Sequence, residues 1–225
     1  MSEVGKHFTE TLSRLPEGVR LVAVSKFHPA EALMEAYEAG ARLFGESRVQ
    51  ELVTKREALP ADIEWHFIGH LQLNKVKYIA PFVSLIHAVD SEKLLREIDK
   101  QGRRFGRVIP CLLQLHVARE EAKFGFSVEE CHALLAQGSW RELKNVRLCG
   151  VMCMASNTDD RERVRQDFRT AYDFYRRAKR EFFADSPEFA IRSWGMSGDY
   201  EDAVRAGATM VRVGTAIFGA RNYTI

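Results

Sequence analysis

Apolar positions along this chain fall into two alternating rhythms. Short runs of period two, or of unbroken apolarity, read as strands, and each is followed by a stretch whose apolar residues recur at helical spacing. VRLVAVSK (19–26) leads into EALMEAYEAG (31–40), where Gly40 is placed to end the helix, and ARLFGES (41–47) into VQELVTKREAL (49–59). WHFIG (65–69) precedes LNKVKYIA (73–80), and SLIHAVD (84–90) precedes EKLLREIDKQ (92–101), with Asp90 and Ser91 as candidate N-caps. VIPCLLQLHV (108–117) and SVEECHALLAQ (127–137) form the next pair, then VRLCGVMCM (146–154) and a long charged helix from about Arg161 to Phe183. FAIRSWGMS (189–197) and TMVRVG (209–214) are the last two strand patterns, separated by DYEDAVRAGA (199–208).

Eight strand patterns, each followed by something helical, predict an all-parallel sheet with helices over its outer face. Eight parallel strands close a (β/α)8 barrel, the TIM-barrel architecture, which takes about 250 residues and at its compact limit roughly 200. No linker or low-complexity segment interrupts the 225 residues, so the expectation is a single α/β domain over 1–225. An open, doubly wound sheet is the competing arrangement. The barrel is preferred because no GxGxxG turn follows the first strand and because polar residues gather at the C-terminal ends of several strands.

Charge and cysteine content narrow the classes of function. Lysines and arginines number 33 against 31 acids, a net charge of +2 that offers no broad basic field to nucleic acid or to an anionic membrane. The N-terminus lacks the apolar stretch of a signal peptide, and no later run has the length of a membrane span. The reading is a cytoplasmic protein, a monomer, with Cys111, Cys131, Cys149 and Cys153 reduced and buried.

Candidate chemistry begins at Lys26, where a core strand ends on a cation. Val22, Val24 and Lys26 share one face of that strand, so valines inside the barrel put the lysine at its catalytic end. Desolvation there favours the free amine, the form that attacks a carbonyl to give a Schiff base. Taken alone, Lys26 favours the plainer reading of a side chain that snorkels to the rim. The last two strands shift that balance. Ser197, Gly198 and Asp199 follow the seventh strand and Gly214 and Thr215 the eighth, the two places where barrels commonly bind phosphate. Each loop also reads as an ordinary cap or tight turn. Together with Lys26 they suit a phosphorylated carbonyl compound, either a sugar-phosphate substrate of a lysine-dependent aldolase or pyridoxal 5'-phosphate (PLP).

The segments VAVSK, FGESRVQE, WHFIGHLQLNK, AKFG, GVMCM and WGMSGDYEDAVRAGATMVRVGTAIFG carry a resemblance to the pyridoxal phosphate homeostasis family, over about residues 20–221. That resemblance implies a barrel of the alanine racemase N-terminal type, with PLP as a Schiff base on Lys26 and its phosphate held by Ser197, Gly198, Gly214 and Thr215. It implies Arg212 at the pyridine nitrogen or at the phosphate, and Ser47 and Lys123 near the cofactor, Lys123 either handing it over by transimination to recipient apoenzymes or, on spacing alone, serving as an exposed salt-bridging lysine. The chain departs from the family text at Ser47, usually asparagine, at Leu73, usually serine, and at Ala118, usually polar. An Arg212 charge at the ring nitrogen would make the ring a poor electron sink. Racemases on this barrel draw a second base from an added β-domain, which is not expected here. A carrier or regulator in PLP homeostasis, not an enzyme, is therefore preferred to a racemase or decarboxylase, and both to an aldolase.

Further residues have plainer readings. His66 and His70 fall on one face but lack a third ligand, so packing and a loop hydrogen bond are expected and no metal. Glu46 is expected to pair with Arg48, Phe67, Met152 and Met154 to fill the barrel, and Trp194 to line the pocket or pack.

Overall fold

The computed structural model describes residues 1–120 and 124–220. An N-terminal helix α1 (Glu3–Ser13) precedes β1 (Arg20–Val24), α2 (Ala30–Glu38), β2 (Leu43–Glu46), α3 (Val49–Ala58), β3 (Glu64–Phe67) and the short α4 (Val76–Ile79). Then come β4 (Leu85–Val89), α5 (Glu92–Arg104), β5 (Ile109–Leu115), α6 (Val128–Gln137), β6 (Val146–Cys153) and α7 (Arg161–Phe182). The chain continues through β7 (Ile191–Ser193), α8 (Tyr200–Arg205), β8 (Met210–Val213) and α9 (Thr215–Phe218). The eight strands form a closed parallel barrel in sequence order, completed by pairing of β1 with β8 from Arg20↔Met210 to Ala23↔Val213. Closure removes the open-sheet alternative.

Every predicted strand is present, although β7 is shorter than its apolar run because Gly195, at φ 93°, turns the chain away. Local signals fix the helix starts: Ser91 accepts the Leu94 N–H, and Ser127 with Glu130 forms a capping box. Sequence reading did not anticipate α1. Ser2 caps it, and it packs against α2 and α9 through buried Phe8.

Side chains separate into two buried layers, as alternation along each strand requires. Val22, Leu85, Ala88, Leu112, Cys149, Met152 and Met210 form the cluster inside the barrel, with Met154 packed on it. Phe44, Trp65, Ile86, Leu113 and Val211 face outward, into a larger cluster with helix residues such as Leu33, Leu52, Leu94 and Phe168. Met152 and Met154 thus fill the barrel as expected. Phe67 does not: with Trp65 it belongs to the outer layer, because the alternation of β3 turns His66 inward.

Among the described residues no helix is long and apolar enough to cross a membrane. The four cysteines are buried and unpaired in disulfides.

Where β5 meets β6 the register shifts between Cys111 and Leu112, opposite Gly150. Gly150 has φ 148°, and a β-carbon there would lie 1.8 Å from the Ile191 carbonyl oxygen of β7. Gly150→Ala is therefore expected to lower stability by about 3 kcal/mol or to prevent folding, read as a drop in the urea midpoint.

Candidate functional site

Lys26 sits two residues beyond the end of β1, in a turn closed by the His28 N–H donating to the Ser25 carbonyl at 3.1 Å. Leu21 and Ala23 face the helices and Val22 the barrel interior. The same alternation puts Ser25 outside, where its hydroxyl donates to Glu46 Oε1 at 2.6 Å, and Lys26, half-buried, on the interior side of the mouth.

The loop after β8 lies directly against this turn. A β-carbon on Gly214 would stand 3.0 Å from the Val24 carbonyl oxygen and 3.3 Å from Val24 Cβ, so glycine lets the start of α9 close on the end of β1. Ser197, in the loop after β7, reaches across: its Oγ accepts the N–H of Gly214 at 3.2 Å and approaches that of Ala216 at 3.5 Å. One oxygen thus already sits where backbone N–H groups converge, as an anionic oxygen would. Thr215 and Gly198 are exposed beside it, and the Gly198 carbonyl accepts from Arg161. Asp199 caps its own loop, accepting the Met196 N–H at 2.5 Å, and burial raises its carboxyl above the usual range. A cleft of about 440 Å³ lined by Met154, Ser156, Asn157, Met196 and Gly198 opens next to these loops.

Arg212 is the buried cation of the site, 3% exposed on the inward face of β8. Its guanidinium reaches the C-terminal ends of two neighbouring strands, donating to Ser193 O and Oγ, both at 2.7 Å, and to Cys153 O at 3.0 Å. No acceptor among the described residues takes its Nε–H. From Ser193 a chain of polar groups crosses the barrel. Ser193 Oγ lies 3.0 Å from His87 Nδ1, and His87 Nε2 lies 3.0 Å from His66 Nδ1. Hydrogen-bond chemistry orders it. Arginine only donates, so the Ser193 hydroxyl accepts from Arg212, and the one acceptor for its own O–H among the described residues is His87 Nδ1, to which it donates. His87 then carries its proton on Nε2 and donates to His66 Nδ1. Both imidazoles must be neutral for this arrangement, and desolvation drives them that way: His66 is lowered to about 3 and His87 well below its ordinary value.

The expected site residues therefore divide. The structure brings Lys26, Ser197, Gly214 and Thr215 to the same edge of the barrel mouth, with Arg212 below the ends of β6 and β7. Ser47 follows β2, and Gly69 is so close that a β-carbon there would meet the Ser47 carbonyl oxygen at 2.4 Å. Lys123 lies outside the described residues. Trp194 packs in the outer layer, fully buried. His66 and His70 are not on one strand face: β3 ends at Phe67, and His70 bonds Asp90 Oδ2 from a loop at 2.9 Å. The Glu46–Arg48 pair is overturned. Glu46 is fully buried under α3 and binds Lys55 Nζ at 2.7 Å, whereas the Arg48 guanidinium covers the Phe27 ring at 4.4 Å. His87 and Ser193 were missed, although the parity of SLIHAVD, with His87 two places from inward Leu85, carried the signal for His87.

Residues 5–222 match the profile of the family described as alanine racemase, N-terminal domain. A pyridoxal phosphate homeostasis protein of Vibrio alginolyticus is 39% identical over 216 residues, covering 94% of this chain and 90% of that protein. This chain belongs to the pyridoxal phosphate homeostasis family. Its relative PipY of Synechococcus elongatus PCC7942, 35% identical, superposes with a TM-score of 0.89 without PLP and 0.85 with PLP bound, covering 96% of this chain and all of PipY. An alanine racemase of Clostridium difficile 630, 13% identical with a TM-score of 0.77, matches 99% of this chain and 57% of its own and shares the fold alone with this homeostasis-family chain.

The neutral imidazoles make this family member acid-sensitive. Unfolded, they take protons near pH 6.5; folded, His66 does so only near 3, so the unfolded state binds more protons between these values and stability is lost as pH falls through that window. Burial raises the Glu46 carboxyl to about 7, which acts in the opposite direction over the same range but equally in parent and variant. The stability of the parent relative to His66→Phe/His87→Phe, read from urea midpoints, is therefore expected to rise from about pH 4.5 to about 7.5.

Proposed function

We propose that this chain binds PLP, holds it covalently through the Lys26 amine, and serves its homeostasis as a carrier or regulator. The observation that carries the reading is the closure of Gly214 against Val24, which sets an anion-suited loop beside the turn bearing Lys26. The residues fit the cofactor. Ser197 Oγ occupies the point where the Gly214 and Ala216 N–H groups meet, so a phosphate oxygen arriving there would find donors already aimed, with Thr215 and the exposed Gly198 adding a hydroxyl and an unobstructed backbone. Arg212 suits the ring and not the phosphate, since its guanidinium is tied down among the ends of β6 and β7 and keeps an Nε–H that no described residue accepts.

PLP bound to a protein amine can act as an electron sink for substrate carbanions when its ring nitrogen is protonated. Arg212 opposes that protonation. Its charge is permanent, and the Ser193–His87–His66 chain supplies no exchangeable proton because the hydroxyl is already committed to His87. Carriage is thus favoured over amino-acid turnover, in accord with relatives named for homeostasis. We place the protein in the cytoplasm, where a reducing environment suits four free cysteines, as a monomer that delivers PLP to apoenzymes, with Ser47 and Lys123 beside the cofactor.

The purified protein is expected to be yellow, with a visible absorbance band that borohydride fixes onto the peptide containing Lys26. Lys26→Ala should abolish the band, and alanine racemisation should be undetectable. A band that persists in Lys26→Ala would move the attachment to another lysine, and turnover of alanine would restore the racemase reading.

A further inference from the structure

Three charged side chains converge on the Lys26 turn from the helix side of the barrel wall, away from the mouth. Lys55 and Glu51 are one turn apart on α3, and Glu46 is the last residue of β2. Lys55 donates to Glu46 Oε1, to Glu51 Oε1 and to the Ser25 carbonyl, each at 2.7 Å. Glu46 Oε1 also accepts the Ser25 hydroxyl, and Glu51 Oε1 accepts the Phe27 N–H at 2.6 Å. Both neighbours of Lys26 are therefore gripped by the same ionic network.

That grip has a geometric task. Phe27 is the one residue other than glycine with positive φ among the described residues, at 65°. A side-chain-bearing residue enters this left-handed region at roughly a ten-fold disadvantage, so the turn would relax unless bonds specific to it held it. Glu51 supplies such a bond to the Phe27 N–H, and Lys55 ties the carboxylates to the Ser25 carbonyl. Stability alone does not account for the arrangement, because a buried ion pair commonly does no better than apolar packing of the same volume. Lys55 is 6% exposed and Glu46 fully buried. Such groups are well suited to fixing a direction.

We propose that Glu46, Glu51 and Lys55 are positioning residues for Lys26, holding the turn 25–28 so that its amine is presented at the barrel mouth. The inference rests on the reading of Lys26 as the cofactor-bearing residue, and its test includes a measurement that does not need the cofactor. In the full-length chain freed of cofactor, Lys26 is acylated with a limiting amine-reactive reagent across a pH series and quantified by peptide mapping against the other lysines. The rate at which added PLP produces the visible band is then measured in the same variants.

In Lys55→Met that keeps a native circular dichroism spectrum, Lys26 acylation is expected to change at least three-fold with a displaced pH profile, other lysines remaining as in the parent, and PLP attachment to slow about ten-fold. Glu51→Gln, which loses the charge of a partly exposed carboxylate, is expected to act in the same direction by about three-fold and decides the matter if Lys55→Met does not fold. Phe27→Gly in the Lys55→Met background should recover much of the attachment rate, since glycine adopts this φ freely. Parental acylation and attachment in folded variants would overturn the proposal. A network-dependent acylation of Lys26 in a parent that never attaches PLP there would instead overturn the cofactor reading and leave the positioning role standing.

Discussion

The pairing of β1 with β8 is the contact on which the rest of the molecule depends. It joins segments nearly two hundred residues apart, Leu21 to Val211 and Ala23 to Val213, and the ordering entropy of that closure is offset only when all eight strands are in place. Once it forms, the ends of β1 and β8 lie side by side, and whatever follows them must share one edge of the mouth. Lys26 follows one and Gly214 the other. Their proximity is thus a product of topology, refined by the absence of a side chain at Gly214, which lets the second loop settle onto Val24.

Closure also encloses an interior that side chains must fill, and the chain fills it unevenly. Apolar residues such as Leu112, Met152 and Met210 fill one part, while His66, His87, Ser193 and Arg212 form a polar line through another. Each of these groups would be costly alone. Linked end to end they satisfy one another in one sense, set by the Ser193 O–H, which accepts from the arginine and finds an acceptor among the described residues only in His87. In the reversed sense His87 would donate to Ser193 as well, and the serine O–H would be left without an acceptor. The barrel therefore specifies the tautomers of two histidines through a hydroxyl held by a buried arginine.

How much of this was legible in the sequence follows from which interactions are local. Strands announced themselves because a parallel strand buried on both faces is a continuous apolar run, and Val22 with Lys26 could be assigned a common face by counting. The phosphate-suited loops were visible because glycine and hydroxyl residues cluster after the last two strands. Glu46 misled because Arg48 is its neighbour in sequence, whereas its partner Lys55 comes from the helix laid over β2. Lys55 and Glu51 drew no reading: i, i+4 spacing is common on exposed helix faces, and nothing in it says that this face of α3 is turned inward. Helix α1 went unread for the opposite reason: its apolar positions are few, and its burial comes from α2 and α9, elements remote in the chain.

The barrel wall separates the two polar systems, and the separation bears on how the fold can change. Inside, Arg212 stands at the ends of β6 and β7 with the histidines buried behind it; outside, Glu46, Glu51 and Lys55 bind one another and the turn. Substitutions inside alter the chemistry offered to a ligand, and substitutions outside alter where Lys26 stands without touching that chemistry. Ser47 sits at the junction, directly after Glu46 and pressed by Gly69, so its backbone is fixed by packing while its side chain remains open to exchange. A position of that kind can accept different side chains, because the constraint on it falls on main-chain atoms that every residue shares.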